Sequence, residues 1–405
     1  MGSIWHNASA MPVRKRKKRI SRHVLRLVCS ILIAAVFYFL FSYDGGSAPA
    51  ERRAIRPHGT AEANQTAARG PAVLRRIWNA LDRLHRDDGR PLPSSPHEEE
   101  RIRVYFAPCD PYDAEGIDDA LRTFMNSARE SIWCAAYDLE HPELADALIA
   151  QHARGIDVRI VSDSQYEQRD AVRQCIRAGI PVVFDRRGAF MHNKFCVVDG
   201  RRVWTGSTNF TQNGMYRNNN NSLVVDSERL AANYETEFLE MFRDKRFGRR
   251  SPRNTPFPEV MVNSARILCY FAPEDGVLEK VLDEIRKAES AVDVMAFAFT
   301  SEDIALALVD RMGSGVRVRA IFEQRNAVAQ SSRDEFLAKH GAEVYLDANP
   351  YSMHHKVMIL DGITVITGSY NFTASAEKNN DENVLIIRSA SVATIYGQEF
   401  ERLMN

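Results

Sequence analysis

Two stretches decide how this chain is read: Met191-His192-Asn193-Lys194-Phe195-Cys196-Val197-Val198-Asp199 and Met353-His354-His355-Lys356-Val357-Met358-Ile359-Leu360-Asp361. Behind the first runs Gly206-Ser207-Thr208-Asn209-Phe210-Thr211, and behind the second Gly368-Ser369-Tyr370-Asn371-Phe372-Thr373. The His, Lys, Asp, Gly and Asn of the two units recur at one offset of 162 positions, without slippage. A single His-x-Lys is commonplace on protein surfaces. Two copies in register, each followed by Gly-Ser-x-Asn, mark an internal duplication.

Residues two apart on a strand project to the same face, so each unit sets an imidazole beside an ammonium. The apolar runs after them, 195–198 and 357–360, suit strands buried in a sheet. The Gly is read as turning the chain, with Ser and Asn adding hydrogen-bonding groups next to the His and Lys. Two such halves facing each other supply two of each group. That set suits phosphoryl transfer. One His attacks phosphorus and the other protonates the leaving oxygen, while Lys194, Lys356, Asn209 and Asn371, with Ser207 and Ser369 beside them, hold the phosphate oxygens.

The double occurrence of His-x-Lys-x-x-x-x-Asp with Gly-Ser-x-Asn resembles the phospholipase D superfamily over residues 101–405. The tail Asn379-Asn380-Asp381-Glu382-Asn383-Val384 resembles the branch that holds bacterial nucleases and mitochondrial cardiolipin hydrolases; cardiolipin synthases of the superfamily usually carry a different tail. The resemblance fixes the reaction type more sharply than the substrate, because that branch cleaves both nucleic acids and phospholipids. It implies a two-step route through a phosphohistidine, with no cofactor and no metal ion. It also implies that the acid 28 residues after each motif His orients the His of the opposite half: Glu382 holds that position in the second half and, as a departure, Asn220 in the first. A Glu accepting a ring N–H fixes the tautomer and raises basicity. His192, facing Glu382, is therefore assigned as nucleophile and His354, facing neutral Asn220, as general acid. Asp199 and Asp361 complete the catalytic set as partners of main chain or Arg rather than as proton carriers.

With 405 residues and 45% hydrophobic content the chain can bury a large core in one to three domains. Charge balances overall but not locally: residues 1–100 carry 17 Lys and Arg against 9 Asp and Glu, and residues 101–405 carry 36 against 44. A protein that grips a polyanion usually shows a basic footprint, so the acidic body counts against a nucleic-acid substrate. Six cysteines with no Cys-x-x-Cys give no metal signature. Cys134 and Cys196 fall in predicted buried strands, where a free Cys acts as a small hydrophobe; Cys109 with Cys269 or Cys175 is the pairing open to an exported chain.

The chain begins with a basic cytoplasmic segment, 1–26, in which Arg14 to Arg19 is an unbroken run of six basic residues. Residues 27–43 are 17 uncharged, mostly apolar positions, near the lower length of a transmembrane helix. The basic flank keeps the N-terminus inside and puts the body outside. Ala48-Pro49-Ala50 leaves open a cleaved signal and a secreted protein. Residues 44–100 read as a disordered tether with a short amphipathic helix, where Val73, Leu74, Ile77, Trp78, Leu81 and Leu84 share one face. The body divides into a first half, 101–247, a basic Pro-containing linker, 248–263, and a second half, 264–405. Strands are expected at 104–107, 131–137, 158–162 and 182–184, and helices at 117–129, 143–153, 167–178, 228–242 and 392–403. The fold class is α/β: two α/β sandwich halves with mixed sheets, packed as a pseudo-twofold dimer with the site at their seam, completed within one chain and needing no obligate oligomer.

Three functions fit. The first is a membrane-tethered phosphodiesterase on phospholipids, its approach lined by Phe190, Met191, Tyr351 and Met353. The second is an exported or tethered endonuclease on DNA or RNA, since the same side chains suit base stacking. The third, an inactive binding protein, is disfavoured by two intact His-x-Lys units. Asn209 and Asn371 match glycosylation acceptors but sit in the proposed site, His355 is read as facing away from it, and Asn218 to Asn221 as a solvated loop.

Overall fold

The computed structural model describes residues 101–108 and 116–404. The expected basic segment, apolar span and tether of residues 1–100 lie outside the described residues, as does Cys109. Among the described residues no helix is long and apolar enough to cross a membrane.

The first half builds one sheet from β1 (Ile102–Ala107), β2 (Ser131–Ala136), β3 (Asp157–Ser162), β4 (Val182–Phe184), β5 (Lys194–Val198), β6 (Arg202–Gly206) and β7 (Asn220–Asp226), in the order β1-β7-β6-β5-β2-β3-β4. The second builds β8 (Glu259–Val262), β9 (Ala265–Ala272), β10 (Ala291–Ala296), β11 (Arg317–Phe322), β12 (Glu343–Leu346), β13 (Lys356–Leu360), β14 (Thr364–Gly368) and β15 (Glu382–Arg388), in the order β12-β11-β10-β13-β14-β15-β9-β8. Strands β2, β3 and β4 pair in parallel, as do β10, β11 and β12, and the remaining pairs are antiparallel. The parallel steps are those with helical crossovers, Pro142–Ala153 and Asp170–Arg177 in one half and Glu302–Gly313 and Asp334–Lys339 in the other. Two mixed α/β halves are thus present.

Local chemistry trims the expected bounds. The helix expected at 117–129 stops at Asn126, and the one expected at 167–178 starts at Asp170, after a 3-10 turn whose Asp163 carboxylate accepts the Gln165 N–H. The segment read as a linker is not all linker: β8 lies within it and pairs with β9 as the edge of the second sheet.

Three apolar clusters hold the body. One lies under the outer helices of the first half, around Leu121, Phe124, Leu148 and Trp204, and its counterpart in the second half centres on Val281, Ile285, Leu308 and Phe322. The third is shared: Phe195, Val197, Tyr234 and Phe238 pack in one cluster with Phe271, Val357, Tyr396 and Phe400. Alternate residues of β5 and β13 serve the inner and outer clusters, which is why both motif strands are apolar throughout. The helices Glu228–Phe242 and Ala390–Met404 supply Tyr234 and Phe238, and Tyr396 and Phe400, to that shared core.

The register of β2 on β5 sets Cys134 opposite Cys196, with Cα atoms 4.1 Å apart, and the two form a disulfide. They are not the free apolar residues that burial alone suggested. Cys175 and Cys269 are buried and free, and the pairing considered for either with Cys109 involves a residue outside the described ones. A bridge across 62 residues restricts the unfolded chain and stabilises by roughly 2–4 kcal/mol. Changing both Cys134 and Cys196 to Ala lowers the urea midpoint accordingly; an unchanged midpoint with unchanged slope argues against the bridge.

Candidate active site

Each motif His enters its strand from a backbone pairing with the other half. The His192 N–H donates to the Asp381 carbonyl at 3.0 Å, and the His354 N–H to the Asn219 carbonyl at 2.8 Å. One residue earlier, the Met191 N–H is held by the Asp163 carboxylate at 3.0 Å and the Met353 N–H by Glu323 at 2.7 Å. The two halves interlock through equivalent strand ends, and the imidazoles stand at the seam.

The cross-half partners are those expected. His192 Nδ1 lies 2.7 Å from Glu382 Oε2, and His354 Nδ1 2.8 Å from Asn220 Oδ1. Glu382 is held below the usual carboxylate range and so is acceptor-only, which puts the His192 proton on Nδ1 and leaves the Nε2 lone pair free. Asn220 Nδ2 donates to the Gly214 carbonyl and its Oδ1 accepts from Ser207, so its oxygen also takes the His354 Nδ1 proton.

The four cationic candidates are almost fully buried. Burial, with Lys194 and Lys356 adding repulsion against the opposing pull of Glu382, lowers His192 to about 4. His354, with no carboxylate opposite, falls well below the usual imidazole value through burial, the two lysines and His192. Burial brings Lys194 to about 7 despite Glu382, and burial and Lys194 hold Lys356 far below an ordinary ammonium. For Glu382 burial acts upward, but His192, Lys194 and Ser369 outweigh it and keep the carboxyl below its ordinary value. Each Nζ donates to the carbonyl of its own motif His and lies over a ring, Lys194 over Tyr137 and Lys356 over Phe297. Those rings also flank the imidazoles, with centroids 4.7 Å from His192 and 4.8 Å from His354.

A buried cluster of two amines and two imidazoles, opposed by Glu382 within it and by Asp138 and Asp163 around it, favours an entering anion. Phosphate or vanadate at millimolar concentration is expected to raise the melting temperature, more strongly as pH falls through about 7, where Lys194 regains its proton. Differential scanning fluorimetry on the full chain reads this out; a Lys194→Ala variant responding like wild type would refute the assignment.

Other sequence candidates land differently. Asn209 and Asn371 are half-buried, and neither spends its Oδ1 on another group, consistent with amides kept for a ligand. Ser207 and Ser369 are not phosphate ligands: the one O–H of each is used on Asn220 or Glu382, and each oxygen accepts a backbone N–H, from Asn221 and Asn383. They position the acceptors of the two imidazoles. Asp199 and Asp361 do not join the site. They sit at the far ends of β5 and β13, at φ 55° and 52°, as the first residue of an Asp-Gly hairpin turn. Their carboxylates accept main-chain N–H groups of Arg129, Glu130 and Ser131, and of Glu289, Ser290 and Ala291.

The motif glycines are not turn residues. Gly206 and Gly368 end strands at φ 145° and 149°, and a Cβ there would lie 2.3 Å from the Asn221 carbonyl oxygen and 2.2 Å from that of Asn383. Only Gly lets β7 and β15 approach closely enough for Ser to reach its partner. Met191 and Met353 do not line the approach; both are fully buried in the shared core, whereas Phe190 lies near His192 and Tyr351 is exposed beneath Arg217. Asn219, Asn220 and Asn221 are not a solvated loop but buried, because they carry β7 into the site. His355 does face away, between Asn221 and Glu399. Sequence reasoning missed Tyr137 and Phe297, although both follow a core strand at an offset of 160, close to that of the motifs.

A family model described as "Cardiolipin synthase, PLD-like domain" matches residues 121–242 and again 281–404. A phospholipase D of Rickettsia bellii is 30% identical over 175 residues, 42% of this chain and 83% of its own length. The mitochondrial cardiolipin hydrolase of Xenopus tropicalis is 33% identical over 135 residues, 33% of this chain and 64% of its own. Among solved structures, the phosphatidylserine synthase of Haemophilus influenzae is similar in fold over 76% of this chain and 86% of its own, with a TM-score of 0.57 at 14% identity.

Proposed function

This chain belongs to the phospholipase D superfamily and is a phosphodiesterase of that hydrolytic class, and from that premise we propose that it cleaves the headgroup phosphodiester of a phospholipid through a covalent intermediate on His192. The observation that carries the mechanism is the pairing of His192 with Glu382 and of His354 with Asn220. His192 Nε2 attacks phosphorus, the bond to the leaving alkoxide breaks, and protonated His354 gives that oxygen its proton. Neutral His354 then takes a proton from water, whose oxygen attacks phosphorus and expels His192. The bound phosphate supplies the negative charge that lets the depressed His354 hold a proton. Lys194, Lys356, Asn209 and Asn371 meet the phosphate oxygens, and no step at the reacting atoms uses a metal ion.

A lipid substrate is supported by the acidic body and by the apolar segment 27–43 with its basic flank. The names of the Rickettsia bellii and Xenopus tropicalis relatives point the same way. On this reading the body works outside the cytoplasm, tethered by that segment or released after cleavage, and the Cys134–Cys196 disulfide favours such an oxidising compartment. The test offers the detergent-solubilised full chain phosphatidylcholine, cardiolipin, single-stranded DNA and RNA, with and without excess chelator, its fold monitored by circular dichroism. Lipid turnover that survives chelation is expected. Cutting of nucleic acid alone replaces the lipid reading with the endonuclease one, and activity lost on chelation while the chain stays folded overturns the metal-free chemistry.

A further inference from the structure

Behind the seam the two halves solve one electrostatic problem in different ways. In the second half Glu399 is buried and neutralised: Arg402 donates to both its oxygens at 2.7 and 2.8 Å, and His355 Nε2 lies 3.2 Å from Oε1. At the offset of 162, Glu399 corresponds to Glu237, Arg402 to Glu240 and His355 to Asn193. The first half therefore has a carboxylate where the second has its guanidinium. A third, Glu274, joins from the turn after β9, and one oxygen of each residue lies within 4.8 Å of the others.

Among the described residues no Lys, Arg or His forms an ion pair with any of the three; Arg246 acts on Glu240 only through space, and Asp275 and Asp381 add further negative charge. Glu237 and Glu240 are each 3% exposed; Glu237 lies within hydrogen-bond reach of Glu240 and Glu274, and among the described residues Glu240 Oε1 and Glu274 Oε2 meet no donor from outside the cluster. Asn254 reaches the other Glu240 oxygen at 3.4 Å, and the Ser251 hydroxyl lies beside it. Glu274 is part-buried and is the least enclosed of the three residues.

We propose that Glu237, Glu240 and Glu274 hold a divalent cation of calcium's size, which does in the first half what Arg402 does in the second. All-oxygen donors suit a hard cation, and ligands at about 2.3–2.6 Å span roughly the separation found here, whereas magnesium, at about 2.0–2.1 Å, requires the cluster to contract. The ion is structural and touches no reacting atom. It reaches the site through Glu237, which faces Asn193 at 3.5 Å, and through Asn193, whose Oδ1 accepts from Asn383 at 2.7 Å, beside Glu382.

The test strips the full chain with chelator, removes the chelator, and follows the melting temperature on adding calcium, magnesium or manganese chloride. Calcium raises it by roughly 5 °C at saturation, magnesium by less, and elemental analysis returns one calcium per chain. Glu240→Arg, which installs the second half's arrangement, is expected to melt no lower than the stripped wild type and to ignore calcium. Should that variant fail to fold, Glu274→Gln is expected to weaken calcium binding at least about tenfold. The proposal is overturned if no cation shifts the wild type, or if calcium shifts wild type and Glu240→Arg equally. A metal-indifferent stability that falls as pH rises toward about 8, where Glu274 would surrender its proton, also overturns it in favour of shared protons.

Discussion

His192→Ala and His354→Ala each lose at least about 10²–10³-fold in turnover of an alkyl phosphodiester, the scale for removing an acid–base group, but they fail at different steps. The nucleophile cannot be bypassed, so His192→Ala stays inactive whatever the leaving group. The general acid matters only while the leaving oxygen needs a proton. An aryl leaving group such as p-nitrophenolate departs unprotonated, so it restores bond cleavage in His354→Ala. Without His354 to activate water, the phosphoryl group then accumulates on His192. Rapid quench with phosphorus-labelled substrate, followed by peptide mapping, locates the label. Label on His354, or rescue of His192→Ala by the aryl substrate, reverses the assignment of the two rings.

Glu382→Gln is the second change with a large expected effect, about 10²-fold or more in kcat/KM, and the pH profile separates its role from mere packing. In the wild type, activity rises with pH as His192 loses its proton, with a limb near its value of about 4. Glu382 raises that value, so its neutral replacement moves the limb to lower pH while the plateau falls. The Gln amide can also donate to Nδ1, which pushes the ring proton onto Nε2 and removes the attacking lone pair. Asn220→Ala leaves this limb in place and alters the alkaline one, where His354 must be protonated. A Glu382→Gln enzyme with an unshifted limb and a proportionate loss of stability would reduce Glu382 to a packing residue.

Much of this site was legible in one dimension because its chemistry rests on short local patterns repeated at a fixed offset. His192 and Lys194 lie two apart on a strand, and their copies 162 positions on require a second half of the same build. The 28-residue step from each His to Glu382 or Asn220 needed the resemblance, because nothing in composition links a strand end to an acid on another sheet. Residues whose roles depend on neighbours distant in sequence were misread. Asp199 and Asp361 do partner main chain as their reading had it, but at hairpin turns away from the catalytic set in which the motif places them. Ser207 and Ser369 look like phosphate ligands until their single O–H groups are followed to Asn220 and Glu382. Asn219 to Asn221 look solvated because polarity usually means exposure, and here β7 carries them into the seam.

By itself, then, the sequence determined the duplication, the alternation of strand and helix, and the identity of the His and Lys pairs. These follow from periodicity and residue chemistry, which act over a few positions. The resemblance named the opposite-half partner of each imidazole and the tertiary structure placed it; only the tertiary structure decided that Cys134 meets Cys196, and that Glu237, Glu240 and Glu274 crowd together where the other half has an Arg. Those facts depend on strand register and on the packing of two sheets around a shared core. Contacts that close loops of tens to nearly two hundred residues leave no mark on local pattern, and they set the charge balance that the reaction uses.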